Sequence, residues 1–164
     1  MAVMKKYLLH ILLFVLSGAS SSMAQTYATG DHTVTVQIST ITMVSVSVGA
    51  ISMTITGAGV PAGQDQMTAT NQSSQLQWGI NSSSRKITAQ TNLAAPQFTL
   101  KLLALNPTQG TAAAEVILST TAQDFMLNIG RSLGNCTLQY TGVALASQGT
   151  GTDSHTITFT VQTQ

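Results

Sequence analysis

The chain has 164 residues, of which 43% are hydrophobic, 7% charged and 5% aromatic, and its formal net charge is +1. So few charges of either sign leave no electrostatic footprint for nucleic acid or for an anionic membrane surface. Its one cysteine, Cys136, excludes an internal disulfide.

Lys5 and Lys6 precede an apolar stretch of about ten residues, "YLLHILLFVL", and Ser22 and Ala24 then occupy the −3 and −1 positions of a small-residue cleavage site. That order reads as a secretory signal peptide over residues 1–24, cut after Ala24. A membrane anchor needs about 20 apolar residues, about twice what is present here, and this stretch contains His10. No cysteine lies near the cut, which argues against a lipid-anchored lipoprotein. The expected mature chain, 25–164, suits a single domain able to bury about 68–70% of its unfolded surface. It carries four cations, Arg85, Lys86, Lys101 and Arg131, against five anions, Asp31, Asp65, Glu115, Asp124 and Asp153.

The run "DHTVTVQISTITMVSVSVGAISMTITGAG" (31–59) has one charged residue, and its apolar side chains come at every second position. Exposed and flat, such a run is an aggregation hazard, so it must be paired in a sheet, placed in a membrane or paired with another chain. Val34, Val36 and Ile38 share one parity, Ile41 and Met43 the other, and Val44, Val46 and Val48 return to the first. Since a one-residue slip turns every side chain to the opposite face, the run is predicted to break. The expected parts are a first strand at 33–38, a bulge or crossing near 39–43, a continuation to 48 and a second strand at 51–56. "GAGVPAG" (57–63) reads as a turn, and the polar "QDQMTATNQSSQ" after it as a long connection or an edge.

"LQWGINSSSRKITAQ" reads as a hairpin, with Leu76, Trp78 and Ile80 alternating before "NSSS" and Ile87 and Ala89 after it. Trp78 has the parity of its apolar neighbours and is predicted to anchor the core. In "QFTLKLLAL", Phe98, Leu100 and Leu102 are expected inward and Lys101 outward; "NPTQG" (106–110) then ends the strand. "AAEVILST" gives another strand through Val116 and Leu118, with Glu115 outward. Ala122, Phe125, Met126 and Ile129 fit helical spacing, with Thr121 and Asp124 as a cap and Gly130 as a stop, so a short helical turn is predicted near 122–129. "CTLQYTGV" and "SHTITFTVQTQ" are the last two strands, with Ile157, Phe159 and Val161 inward. Cys136 has the parity of Leu138 and Tyr140 and reads as a small buried hydrophobe with nothing basic beside it to make it reactive.

Eight or nine short strands separated by Gly, Ser, Asn and Pro point to an all-β fold: an antiparallel, immunoglobulin-like β-sandwich in a single domain, 25–164. The Cys–Trp–Cys signature of true immunoglobulins is absent. An eight-stranded outer-membrane barrel would need aromatic girdles at both interfaces, which the six mature aromatics Tyr27, Trp78, Phe98, Phe125, Tyr140 and Phe159 do not supply.

Catalysis needs positioned titratable groups, and here they are sparse. Asp31–His32 and Asp153–His155 could meet as a metal site if the first and last strands were neighbours. Their spacing matches no closed zinc pattern, and polar residues at two strand starts account for them. No "GxSxG" elbow, no Lys-Ser/Thr phosphate loop and no dense carboxylate series for calcium occurs. The acids are scattered rather than paired in the manner of a glycosidase. The expectation is a protein that is not an enzyme, with no catalytic, cofactor-binding or metal-binding residues.

A signal peptide, one sandwich of this size, low charge and alternating Val/Thr strands at both ends together resemble the secreted pilin-like subunits of bacterial surface fibres. The resemblance covers the mature chain in pattern and has no specific motif. The paired cysteines of chaperone-assembled pilins and a sortase-type sorting signal are absent. Lys86 and Lys101 lie mid-chain, and "HTITFTVQTQ" has no asparagine to serve an isopeptide bond. The resemblance implies a secreted structural or adhesive protein, periplasmic or at the cell surface. Its partners would be further copies or other fibre subunits, joined by addition of its N-terminal strand to a neighbour's sheet. A loop-presented binding module for glycan or another small ligand is the alternative.

Overall fold

The computed structural model describes residues 33–164. Nine strands follow one another: β1 (Thr42–Val46), β2 (Gln66–Ile80), β3 (Arg85–Thr91), β4 (Thr99–Leu105), β5 (Thr111–Ala112), β6 (Val116–Ile117), β7 (Gln123–Ile129), β8 (Ser132–Leu145) and β9 (Ile157–Thr163). Among the described residues the only helical piece is a 3-10 turn at Ala146–Gln148. The strands form two antiparallel sheets, one in the order β1-β2-β8-β4-β6 and one in the order β5-β7-β3-β9. Both sheets contribute to one core, so the expected all-β sandwich is the observed architecture. Every strand lies in the unit Ile38–Gln164; residues 33–37 fall outside that unit.

The five-stranded sheet is built on its two longest strands. β2 and β8 pair from Gln66↔Leu145 to Ile80↔Ser132, with one irregularity between Asn71 and Ser74. Alternation turns Leu76, Trp78, Ile80, Cys136, Leu138 and Tyr140 into the core and leaves Gln75, Gln77 and Asn135 outside. "QDQMTATNQSSQ", expected as a connection or an edge, is the first half of β2. Its polarity misled because only Met67, Ala69 and Asn71 on its inward parity are half-buried. β1 covers β2 only from Leu76 to Ile80, so the outer side of this half is indeed an edge.

The predicted hairpin at 76–90 is not one. β2 and β3 belong to different sheets, and residues 81–84 carry the chain across the sandwich. A strand pair facing one core from opposite sheets shows the same alternation as a hairpin pair, which is why the pattern misled. Leu76 and Ile87, both wholly buried, belong to the same core cluster. Ser84 takes a positive φ of 57° in this arch.

The helical turn predicted near 122–129 is a strand, β7. From Arg85↔Ile129 to Ile87↔Met126, β7 spends three residues against two on β3, and from Ile87↔Met126 to Thr88↔Asp124 it spends two against one. Each extra residue is a bulge that shifts parity, and Asn128, at φ 55°, sits in the first. Two bulges in seven residues place Phe125, Met126 and Ile129 all inward, a spacing that mimics a helix.

In the opening run, residues 33–41 form no strand; only Thr42–Val46 enters a sheet. The predicted strand at 51–56 makes no ladder either. Ile51, Met53 and Ile55 are nonetheless half-buried at alternate positions, and Ile51 and Met53 pack on the core. Met53 and Ile55 lie against Gly142 of β8, where a Cβ would stand 3.1 Å from Ile55 Cδ1 and in ordinary contact with Met53. Two turns follow as expected, closed by Val60 N–H to the Gly57 carbonyl and Gln64 N–H to the Pro61 carbonyl.

Candidate functional site

Most titratable groups among the described residues are tied up locally. Lys86 pairs with Asp124 at 2.7 Å and Lys101 with Glu115 at 3.2 Å. Asp65 accepts the Ser147 N–H and hydroxyl, at 3.0 and 3.2 Å. Asp153 accepts the Phe98 N–H at 2.7 Å. Glu115 and Asp124 line one shallow hollow between residues 113–117 and 122–124, which no spacing in the chain foretells. Each is already bonded to a lysine, so the hollow offers no free acid–base pair.

Of the four residues considered as metal ligands, Asp31 and His32 lie outside the described residues. His155 Nδ1 is 3.0 Å from the Thr91 hydroxyl. The Leu93 N–H donates to that same oxygen at 3.3 Å. Burial lowers the pKa of His155 below its ordinary value, outweighing the Asp153 carboxylate that acts the other way. Thr91 is 2% exposed, out of reach of any substrate. Among the described residues no group of three or more His, Cys, Asp or Glu could hold a metal.

Cys136 is buried, and burial pushes its thiol up to about 11, partly offset by a backbone hydrogen bond from Leu76. Such a thiol stays protonated and unreactive. Tyr140 faces the core, its phenol pushed up to about 12 by burial and then by Cys136. It offers no stacking surface to a sugar, and Tyr27 lies outside the described residues.

What the surface does present is strand edge and apolar side chain, unevenly placed. On one side the sandwich is closed. Thr111–Ala112 pair with β7 in one sheet, Val116–Ile117 with β4 in the other, and the Thr91 N–H then bonds the Ser119 carbonyl back in the first. The closing strands are two residues each, too short to template another chain. On the other side stand β1 and β9, which lie against each other. Each is paired along one edge only among the described residues. Neither contains a charge, a proline or a bulge, the usual guards of a sheet edge.

Just before β1 the chain is fastened. Asn81 Oδ1 accepts the Ile41 N–H at 2.7 Å, its Nδ2 donates to the Ser39 carbonyl at 2.8 Å, and its own N–H reaches the Ile41 carbonyl at 3.2 Å. Upstream of that clamp, Val34, Val36 and Ile38 are 71%, 81% and 74% exposed. Six residues, "TVTVQI", thus combine strand-forming side chains with no strand of their own. Among the described residues no helix is long and apolar enough to cross a membrane. Comparison of the chain with protein-family models, with curated proteins and with solved structures found no match.

Proposed function

We propose that this is a secreted, non-enzymatic structural or adhesive protein of the cell surface, assembling through β-strand addition by residues 33–38. The exposure of Val34, Val36 and Ile38 carries this reading. A soluble domain gains nothing from holding three β-branched side chains in water at alternate positions, and burying each fully would contribute about 1.5–3 kcal/mol. A neighbouring sheet edge would accept such a segment through backbone hydrogen bonds and through the apolar face. The thin and locally paired set of titratable groups supports a building role over a chemical one. Secretion rests on the leader expected over residues 1–24.

The test compares residues 25–164 with residues 39–164 by sedimentation velocity. The longer form is expected to assemble and the shorter to stay monomeric. Equal assembly of both would rule out strand addition by this segment. A glycan panel that raised the melting temperature would instead favour the ligand-binding alternative, since a ligand selective for the native state stabilises it.

A further inference from the structure

We infer that the outer edge of β9 in one copy of this chain is the acceptor for residues 33–38 of a second copy. This rests on the strand-addition reading above and specifies its partner. Four observations select β9.

The first is the direction of its backbone groups. The Asn92 N–H bonds the Thr156 carbonyl, and the Gln164 N–H bonds the Ser84 carbonyl. The even-numbered residues of β9 therefore face β3. Antiparallel alternation then turns the N–H and C=O groups of Ile157, Phe159, Val161 and Thr163 outward, where no described residue pairs with them in a ladder.

The second is the apolar face. Three of these four, Ile157, Phe159 and Val161, pack on the core but are only half-buried, because the sheet stops beside them. A strand laid along β9 would extend that face with Val34, Val36 and Ile38, three apolar side chains at the same period. β1 turns one side chain, Val44, toward the core, and the open half of β2 offers Met67 and Ala69. Neither matches the donor's three.

Length is the third. The donor has six residues before its clamp and β9 has seven, so the two match in length. The fourth is composition: neither segment carries charge, proline or glycine. Because donor and acceptor are different surfaces of the chain, the contact is heterologous, and repeating it gives an open filament or a ring.

On the outer face of such a pair, Thr35 and Gln37 of the donor come beside Thr158, Thr160 and Gln162 of the acceptor, with opposed Cβ atoms about 4.5–5.5 Å apart. Cysteine pairing reads this directly. Protein expressed from the full-length chain with Thr35→Cys is mixed under mild oxidation with a second variant carrying Thr158→Cys, Thr160→Cys or Gln162→Cys. Ser45→Cys on β1 and Thr70→Cys on β2 serve as alternative acceptors; all these sites are exposed, so folding is not at stake. The expected result is a mixed covalent dimer with at least one β9 position at several-fold higher yield than with Ser45→Cys or Thr70→Cys. Assembly with cross-links to β1 or β2 instead, or to none of them, would overturn the β9 assignment while leaving strand addition intact. A Thr35→Cys/Thr160→Cys double variant that closes within one chain and stays monomeric would overturn it too. Failure of the unmodified protein to assemble would sink both readings.

Discussion

The indole of Trp78 lies over the α-carbon of Gly134, its ladder partner on β8. A Cβ at Gly134 would stand 2.5 Å from Trp78 Cε2 and Cζ2 and 2.6 Å from Nε1. The glycine is there for space: Trp78 is 3% exposed, and its ring occupies the room a side chain would need. Around it, Ile80, Cys136 and Leu138 complete the inner face of the sheet.

Overpacking is therefore the first expected outcome. Gly134→Ala drives a methyl into the ring and should destabilise the fold by about 1–3 kcal/mol. Trp78→Ala removes the ring and should cost about 3–5 kcal/mol. If the clash is the cause, adding Gly134→Ala to Trp78→Ala should cost little more. Additive losses in urea titrations would place the glycine's role elsewhere.

Val36→Asp separates folding from assembly. At 81% exposure the side chain contributes little to the fold, so the change in stability should stay within about 0.5 kcal/mol. A carboxylate in a paired, apolar face is costly, so assembly should be lost. A variant that melts like the parent yet sediments as a monomer is the expected result; one that still assembles would remove this segment from the interface.

Stability should fall on acidification through His155. Burial lowers its pKa in the folded protein, so below the ordinary value of 6.5 the unfolded chain binds a proton that the folded one resists. The contribution is complete above pH 6.5 and is lost progressively as pH falls below it. The urea midpoint should thus drop between pH 7.5 and pH 5, and His155→Gln should flatten that drop. Parallel losses in both proteins would assign the effect to other groups.

Cys136 should resist alkylation. With its thiol pushed up to about 11 by burial, iodoacetamide at pH 8 should label native protein far more slowly than protein in urea, as read by intact mass. Rapid native labelling would mean that β8 opens readily or that the core is looser than described.

Much of this architecture is legible in the residues. Two-residue alternation identifies β4, β8 and β9 and turns Trp78, Cys136, Leu102 and Tyr140 inward, as observed. What misleads is any place where alternation stops reporting one face of one sheet. In β7 two bulges convert strand parity into helical spacing. At 81–84 a crossing between sheets imitates a hairpin, because Ile80 and Ile87 meet the same core from opposite sides. In β2 the run of Thr, Asn and Gln conceals a strand that pairs along β8 with only half-buried residues inward. At 33–38 the alternation is sound, but among the described residues the segment enters no sheet. The role of Asn81 was not legible at all, since a clamp onto Ser39 and Ile41 leaves no trace in spacing.

Negative-stain electron microscopy of residues 25–164, with the same sample run on a gel before and after boiling, decides whether the chain assembles by strand addition. Strand addition predicts uniform filaments or closed rings whose subunits separate only on heating, because every junction holds a ladder of backbone hydrogen bonds and a buried apolar face. Small, monodisperse particles that run as monomers without boiling would contradict it.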